Sequence, residues 1–231
     1  MEERNLSLSP RRERTRPSSH RVVKFEIDEI KQRFHESVEE IEKQCLVARE
    51  LYNAEKLEQA ENIWRAQIVF LESTLDFYMH EITKYGLEKM FNEEWESTKK
   101  YGSIQVKMEV VHRVIREEED PEWFLNYIND YYREVTMVSY SSFKEQMNLL
   151  GLNLKKIADG AFHELNVTER TIDKLRRRLN ELYNRRNIIA HQFDRQHTDA
   201  VKKEISEGLV MDFINDVKKI IEAVNTQVLE K

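Results

Sequence analysis

The chain has 231 residues with 5 Gly, 3 Pro, 35% charged residues and a formal net charge of −6. So few helix breakers exclude a turn-rich β fold and point to long helices around one sizeable core. The negative balance removes any global attraction to nucleic acid, so polyanion binding would have to come from a local patch.

Residues 1 to 24 carry seven Arg/Lys against three Glu, both early prolines and several serines. That composition reads as a basic, flexible N-terminal tail, and residues 25 to 231 as a single α-helical domain. Ile30, Phe34, Val38, Ile41 and Cys45 lay one apolar stripe along a helix running to about residue 52. Trp64, Ile68, Leu71, Leu75, Tyr78, Ile82 and Tyr85 recur at alternating spacings of 4 and 3, the clearest core helix in the chain. Gly86 and Gly102 frame a weaker stretch, followed by helical patterns at 104 to 115, 122 to 135 and 143 to 150. Ser142 with Glu145 three residues later has the form of a capping box, and Gly151 ends that helix. Two long helices close the chain, one from about 168 to at least 190 and one from about 198 to 228, the latter striped by Val210, Ile214, Val217, Ile221, Val224 and Val228. The pattern predicts an all-α fold, a four-helix bundle with a helical insertion between the second and third core helices.

The penultimate helix poses the chemical question. Its seam runs Ile172, Leu175, Leu179, Leu182, Arg186, Ile189, Phe193, so an arginine stands where the register asks for leucine. A buried guanidinium is costly without partners; it must reach solvent, pair with an anion or line a cleft. Residues 170 to 195 also hold eight Arg/Lys, a basic patch suited either to phosphate contacts or to a solvated face of i,i+4 ion pairs such as Arg177 with Glu181. On an ideal helix His191 lies five residues, about 140°, from Arg186, so the two cannot easily meet on one face of one chain. Asn184, Asn187 and His191 form a polar stripe opposite the leucines, and a second copy packed there could bring Arg and His from both chains together.

Other constellations fail. His163, His191 and His197 show no metal-ligand spacing, and Asp194 with His197 reads as a helix-end pair rather than a metal site. No Gly-rich phosphate loop or G-x-S-x-G motif is present, and no metal or other cofactor is expected. Cys45 is the single cysteine, which rules out an internal disulfide and fits a reducing compartment. No apolar run approaches the ~20 residues that span a bilayer, so a cytoplasmic protein without a membrane partner is expected.

The string Arg186-Asn187-Ile188-Ile189-Ala190-His191 resembles the R-x4-6-H motif of the HEPN superfamily, including the Asn directly after the Arg. The likeness is nearest to RiboL-PSP-HEPN and related bacterial branches and covers residues ~45 to 228 in architecture, with its specific part confined to this short motif. The resemblance implies a metal-independent endoribonuclease, a homodimer through the Arg186/His191 helix, leaving 2',3'-cyclic phosphate ends on RNA. It implies His191 as general acid/base, Arg186 as phosphate holder and Asn187 as orienting group, with RNA contacts expected from Arg178, Arg185 and Arg195. Glu72, flanking the stripe of the early helix, is a possible supporting residue. An antitoxin or associated defence protein is a possible partner. HEPN toxins controlled by nucleotidyltransferases often carry Tyr two residues after the His; here Phe193 stands there, which argues against that control. Two alternatives stay open: a catalytically silent HEPN module that binds RNA or protein, and a helical adaptor with Arg186 paired to an internal carboxylate, His191 exposed and no dimer along the helix.

Overall fold

The structure is a computed structural model, and it describes residues 22–118, 121–165, 168–196, 198 and 200–231. Of the expected basic tail, residues 1–21 lie outside the described residues. Eight α-helices are seen among the described residues, with no strand beyond one isolated Arg195–Lys202 bridge. The chain is all-α, as its periodicities require.

Helix α1 (Ile27–Asn53) buries Ile30, Phe34, Val38, Ile41 and Cys45, the stripe read from its spacing. It turns through Glu55, at φ 59°, into α2 (Leu57–Phe91), and the two pack extensively on each other. Helix α2 runs past Tyr85 and Gly86, which the sequence reading placed at its end. Gly86 is there for packing: a Cβ on it would lie 2.6 Å from Leu150 Cδ2 and 2.8 Å from the Trp95 ring.

Short helices follow: α3 (Met108–Ile115), α4 (Trp123–Tyr132), α5 (Tyr140–Leu149) and α6 (Leu154–Phe162). The capping box expected at Ser142 and Glu145 is not formed. Ser139 caps α5 instead, its Oγ accepting from the Ser142 amide at 3.2 Å, while Glu145 faces solvent and pairs with Lys100 at 3.4 Å. A serine just outside the helix can reach the free amides of the first turn, whereas Ser142 is already within it. Gly151, at φ 67°, ends the helix as expected.

Helix α6 has no counterpart in the sequence reading, because nine residues give too short a window for periodicity to stand out. It buries Ile157, Ala158, Ala161 and Phe162 and packs against both α7 (Thr171–Gln192) and α8 (Glu207–Leu229). Close approach there depends on small residues: a Cβ on Gly160 would meet Ala223 Cβ at 3.2 Å. Helix α8 buries all six residues of its stripe but starts well after residue 198. Ala200 sits at φ 58° and Ser206 caps the helix through the Leu209 amide, so the segment between is a connector. The long helices α1, α2, α7 and α8 surround one core, and a fully buried hydrogen bond from Tyr78 to Asn225 Oδ1, 2.7 Å, ties α2 to α8.

Candidate functional site on helix α7

Helix α7 buries Leu175, Leu179 and Leu182 against the core, and then its seam opens. The Arg186 side chain, at the next seam position, remains 29% exposed, and Ile189 is only half-buried. Phe193 leaves the seam altogether: it ends the helix in the left-handed region at φ 51° and is 60% exposed, with the Lys202 ammonium 4.6 Å from its ring centre.

Beneath Arg186 lies Glu72 of α2. Its carboxylate is buried and sits 3.3 Å from Arg186 Nε. The contact is electrostatic rather than a directed hydrogen bond: neither Arg186 Nε nor Glu72 Oε1 has a hydrogen-bond partner. Burial pushes the Glu72 carboxyl up to about 6 despite the opposing pull of Arg186, and the charge of Asp76 adds to the rise. Asn187 Oδ1 accepts from Arg186 Nη1 at 3.0 Å, so Asn187 acts on the guanidinium and not on the imidazole within the chain. The Arg186 side-chain hydrogen bond seen among the described residues comes from Nη1, and none is seen from Nη2. His191 and Asn184 are exposed on the other side of the helix, and His191 has no hydrogen-bond partner among the described residues. Arg186, Asn187 and Glu72 are therefore brought together; His191 stands apart. An arginine paired internally and an exposed histidine are also what the adaptor reading expects.

The three arginines expected to contact RNA have other attachments. Arg178 bonds to Asp216, to Glu181 at 2.8 Å, and stacks over Phe213 with its guanidinium carbon 4.5 Å from the ring centre. Arg185 is drawn into a buried cluster: its Nη2 donates to Asp194 Oδ2 at 2.7 Å and to the Glu204 carbonyl at 2.9 Å. Burial holds the Arg185 guanidinium below its ordinary range against the opposing effect of Asp194. Arg195 is exposed but donates to the Ala200 carbonyl at 2.6 Å. Along the first half of α7, Arg177 pairs with Glu169 and Glu181, and Arg170 and Arg176 with Asp173. Much of the basic patch is thus neutralised within the chain.

Asp194 was expected beside His197, which lies outside the described residues. It is fully buried and its Oδ2 also receives Arg65 Nε of α2 at 2.8 Å. Sequence reasoning missed this cluster, because Arg65 and Asp194 are far apart along the chain. The one local signal was a charged residue directly after a helix end.

Neither the curated proteins nor the solved structures contain a match to this chain. A family model does match it, over residues 32–230, and that span takes in all but the first five residues of α1, every later helix and the whole R-N-I-I-A-H string. With an all-helical fold and this motif on its penultimate helix, the chain belongs to the RiboL-PSP-HEPN family.

Proposed function

We propose that the chain is a metal-independent endoribonuclease that acts as a homodimer, serving as a toxin or defence effector. The observation that carries this reading is the state of Arg186. Its guanidinium is half-buried, braced from below by Glu72 and from the side by Asn187, with Nη2 left for a ligand. A planar fork held in this way suits a phosphodiester, whose charge grows on its oxygens in the transition state.

His191 stands five residues on, about 140° around and about 7.5 Å along the helix axis. One chain does not close a site around a single phosphate with these two groups. Two copies facing each other along α7 would place the histidine of one beside the arginine of the other. An imidazole then takes the proton of a ribose 2'-hydroxyl, the oxygen attacks the adjacent phosphorus, and the 5'-oxygen leaves with a proton from an imidazolium. The products are a 2',3'-cyclic phosphate and a 5'-hydroxyl.

The silent-module reading is favoured by one observation: Arg186 already has an anionic partner in its own chain. The same experiment separates the two. Purified protein is incubated with mixed-sequence RNA in EDTA, beside His191→Ala and the pair Arg186→Ala/Glu72→Gln, the second change preventing an unpaired buried carboxylate. The nuclease reading expects cyclic-phosphate ends from wild type and losses of at least ~10²-fold in both variants. Equal cleavage by His191→Ala, or none by wild type freed of any co-purifying inhibitor, would replace it with the binding module.

A further inference from the structure

The connector from α7 to α8 is shaped by three features that meet at one place. Phe193 and Asp194, the two residues after the helix, both adopt left-handed backbone, at φ 51° and 61°. Side chains with a Cβ disfavour this conformation, and two such residues in succession call for contacts that hold them. The contact that does so is buried: Asp194 Oδ2 receives Arg65 Nε at 2.8 Å and Arg185 Nη2 at 2.7 Å. Both arginines also reach into the connector, Arg65 Nη2 donating to the Lys203 carbonyl at 2.9 Å and Arg185 Nη2 to that of Glu204 at 2.9 Å. On the backbone, the Asp194 amide closes onto the Ile188 carbonyl at 3.1 Å, and the Asp194 carbonyl accepts from Lys203 at 2.8 Å. One side chain thus fastens the end of α7 to α2 and to the start of the approach to α8.

His191 lies within the turn that this clamp closes, between Ile188 and Asp194. It has no hydrogen-bond partner of its own among the described residues to hold the ring. We infer that Asp194, clamped by Arg65 and Arg185, is a positioning residue: it fixes the last turn of α7 and so the place from which His191 acts. The role in catalysis rests on the nuclease reading above; the ordering of His191 does not.

An aspartate in the interior beside two guanidiniums is costly to remove, since Arg185 would lose its counter-charge and Arg65 would keep only Glu61. Asp194→Asn can therefore fail to fold, and the decisive variant is Arg185→Gln, which keeps the Arg65–Asp194 bond and the Glu61–Arg65 pair at 3.1 Å. Two readouts are taken on folded protein: the imidazole carbon–proton NMR signal of His191, assigned by its absence in His191→Ala, and kcat and KM for RNA cleavage. A clamp predicts a His191 signal broadened or displaced in Arg185→Gln. It also predicts kcat lowered about 10- to 100-fold with KM changed less than about threefold, the signature of a misplaced group rather than a lost contact. Arg185→Lys, which retains a single cationic nitrogen, recovers part of both. An unmoved His191 signal in Arg185→Gln overturns the clamp whether or not the protein cleaves RNA. A moved signal with wild-type kcat, in a protein whose cleavage still requires His191, overturns its catalytic role alone. Loss of His191-dependent cleavage in wild type instead strikes the nuclease reading and leaves the NMR test of the clamp in force.

Discussion

Arg186 and Glu72 illustrate how one residue position joins stability to chemistry. A leucine at 186 would complete the seam; an arginine there needs an anion, and α2 supplies one from within the core. The arrangement leaves Glu72 Oε1 and Arg186 Nε without hydrogen bonds, a cost a purely structural ion pair would avoid. Its pH dependence can be stated. The Glu72 carboxyl is raised from 4.5 to about 6, so the folded state binds the proton more tightly than the unfolded chain does. Its contribution to stability is complete below about pH 4.5 and is lost as pH rises through about 6. Relative to Glu72→Gln, which cannot ionise, wild type should lose about 2 kcal/mol across that window and stay level above it. Denaturant unfolding of both proteins from pH 4 to 8 measures the difference, and parallel curves would contradict the assignment. Arg186 was legible in the sequence as an anomaly of register, and His191 and Asn187 as members of a motif. Glu72 could be named only as a possible neighbour of the site, because nothing in a linear pattern says which residue of α2 will lie under which residue of α7.

At the scale of single elements, the four long helices were readable, and of the short ones α3, α4 and α5 fell where helical patterns were read while α6 did not. The stripes of α1, α2, α7 and α8 repeat often enough that a 3.6-residue period dominates local accidents. The nine residues of α6 hold too few turns for that, although four of them are buried. Gly86 was misread for a related reason: alone, a glycine after a long apolar stripe looks like a stop, and only the proximity of Leu150 and Trp95 explains it. This reversal has a measurable consequence. In an exposed helix interior, Gly→Ala gains roughly 1 kcal/mol of stability. At Gly86 the added methyl would press on the fully buried Leu150, so Gly86→Ala should instead destabilise by about 1–3 kcal/mol. Thermal unfolding decides the sign. At the Tyr78–Asn225 link between α2 and α8, Tyr78→Phe should cost about 1–3 kcal/mol, since Asn225 Oδ1 would lose its donor while remaining buried.

For the whole molecule, several ion pairs join helices distant in sequence, among them Lys31–Glu222, Lys218–Glu42 and Arg178–Asp216. The basic residues of α7 are largely answered by acids of the same chain, and no broad cationic surface follows from their number. On the nuclease reading proposed above, the RNA contacts would be local to Arg186 and to the end of α7, and assembly becomes the deciding variable. If two copies meet along α7, Asn184, exposed on that face, lies where a new charge would oppose its own copy. Asn184→Arg should shift sedimentation from dimer to monomer at micromolar protein and lower cleavage at least ~10-fold while leaving the helical circular dichroism unchanged, because like charges across an interface cost several kcal/mol while a surface arginine costs little within one chain. A dimer that persists in this variant would place the interface elsewhere.

The amino-acid sequence by itself determined the all-helical class, the four long helices and the R-N-I-I-A-H string, because periodicity and short motifs are local properties of a chain. Only the tertiary structure decided what those residues touch. It set Glu72 under Arg186, enclosed Asp194 between Arg65 and Arg185, and turned the expected first turns of the last helix into a clamped connector. Each of these is a contact between segments distant in sequence, and such contacts are chosen by the packing of the core as a whole, which local pattern does not encode.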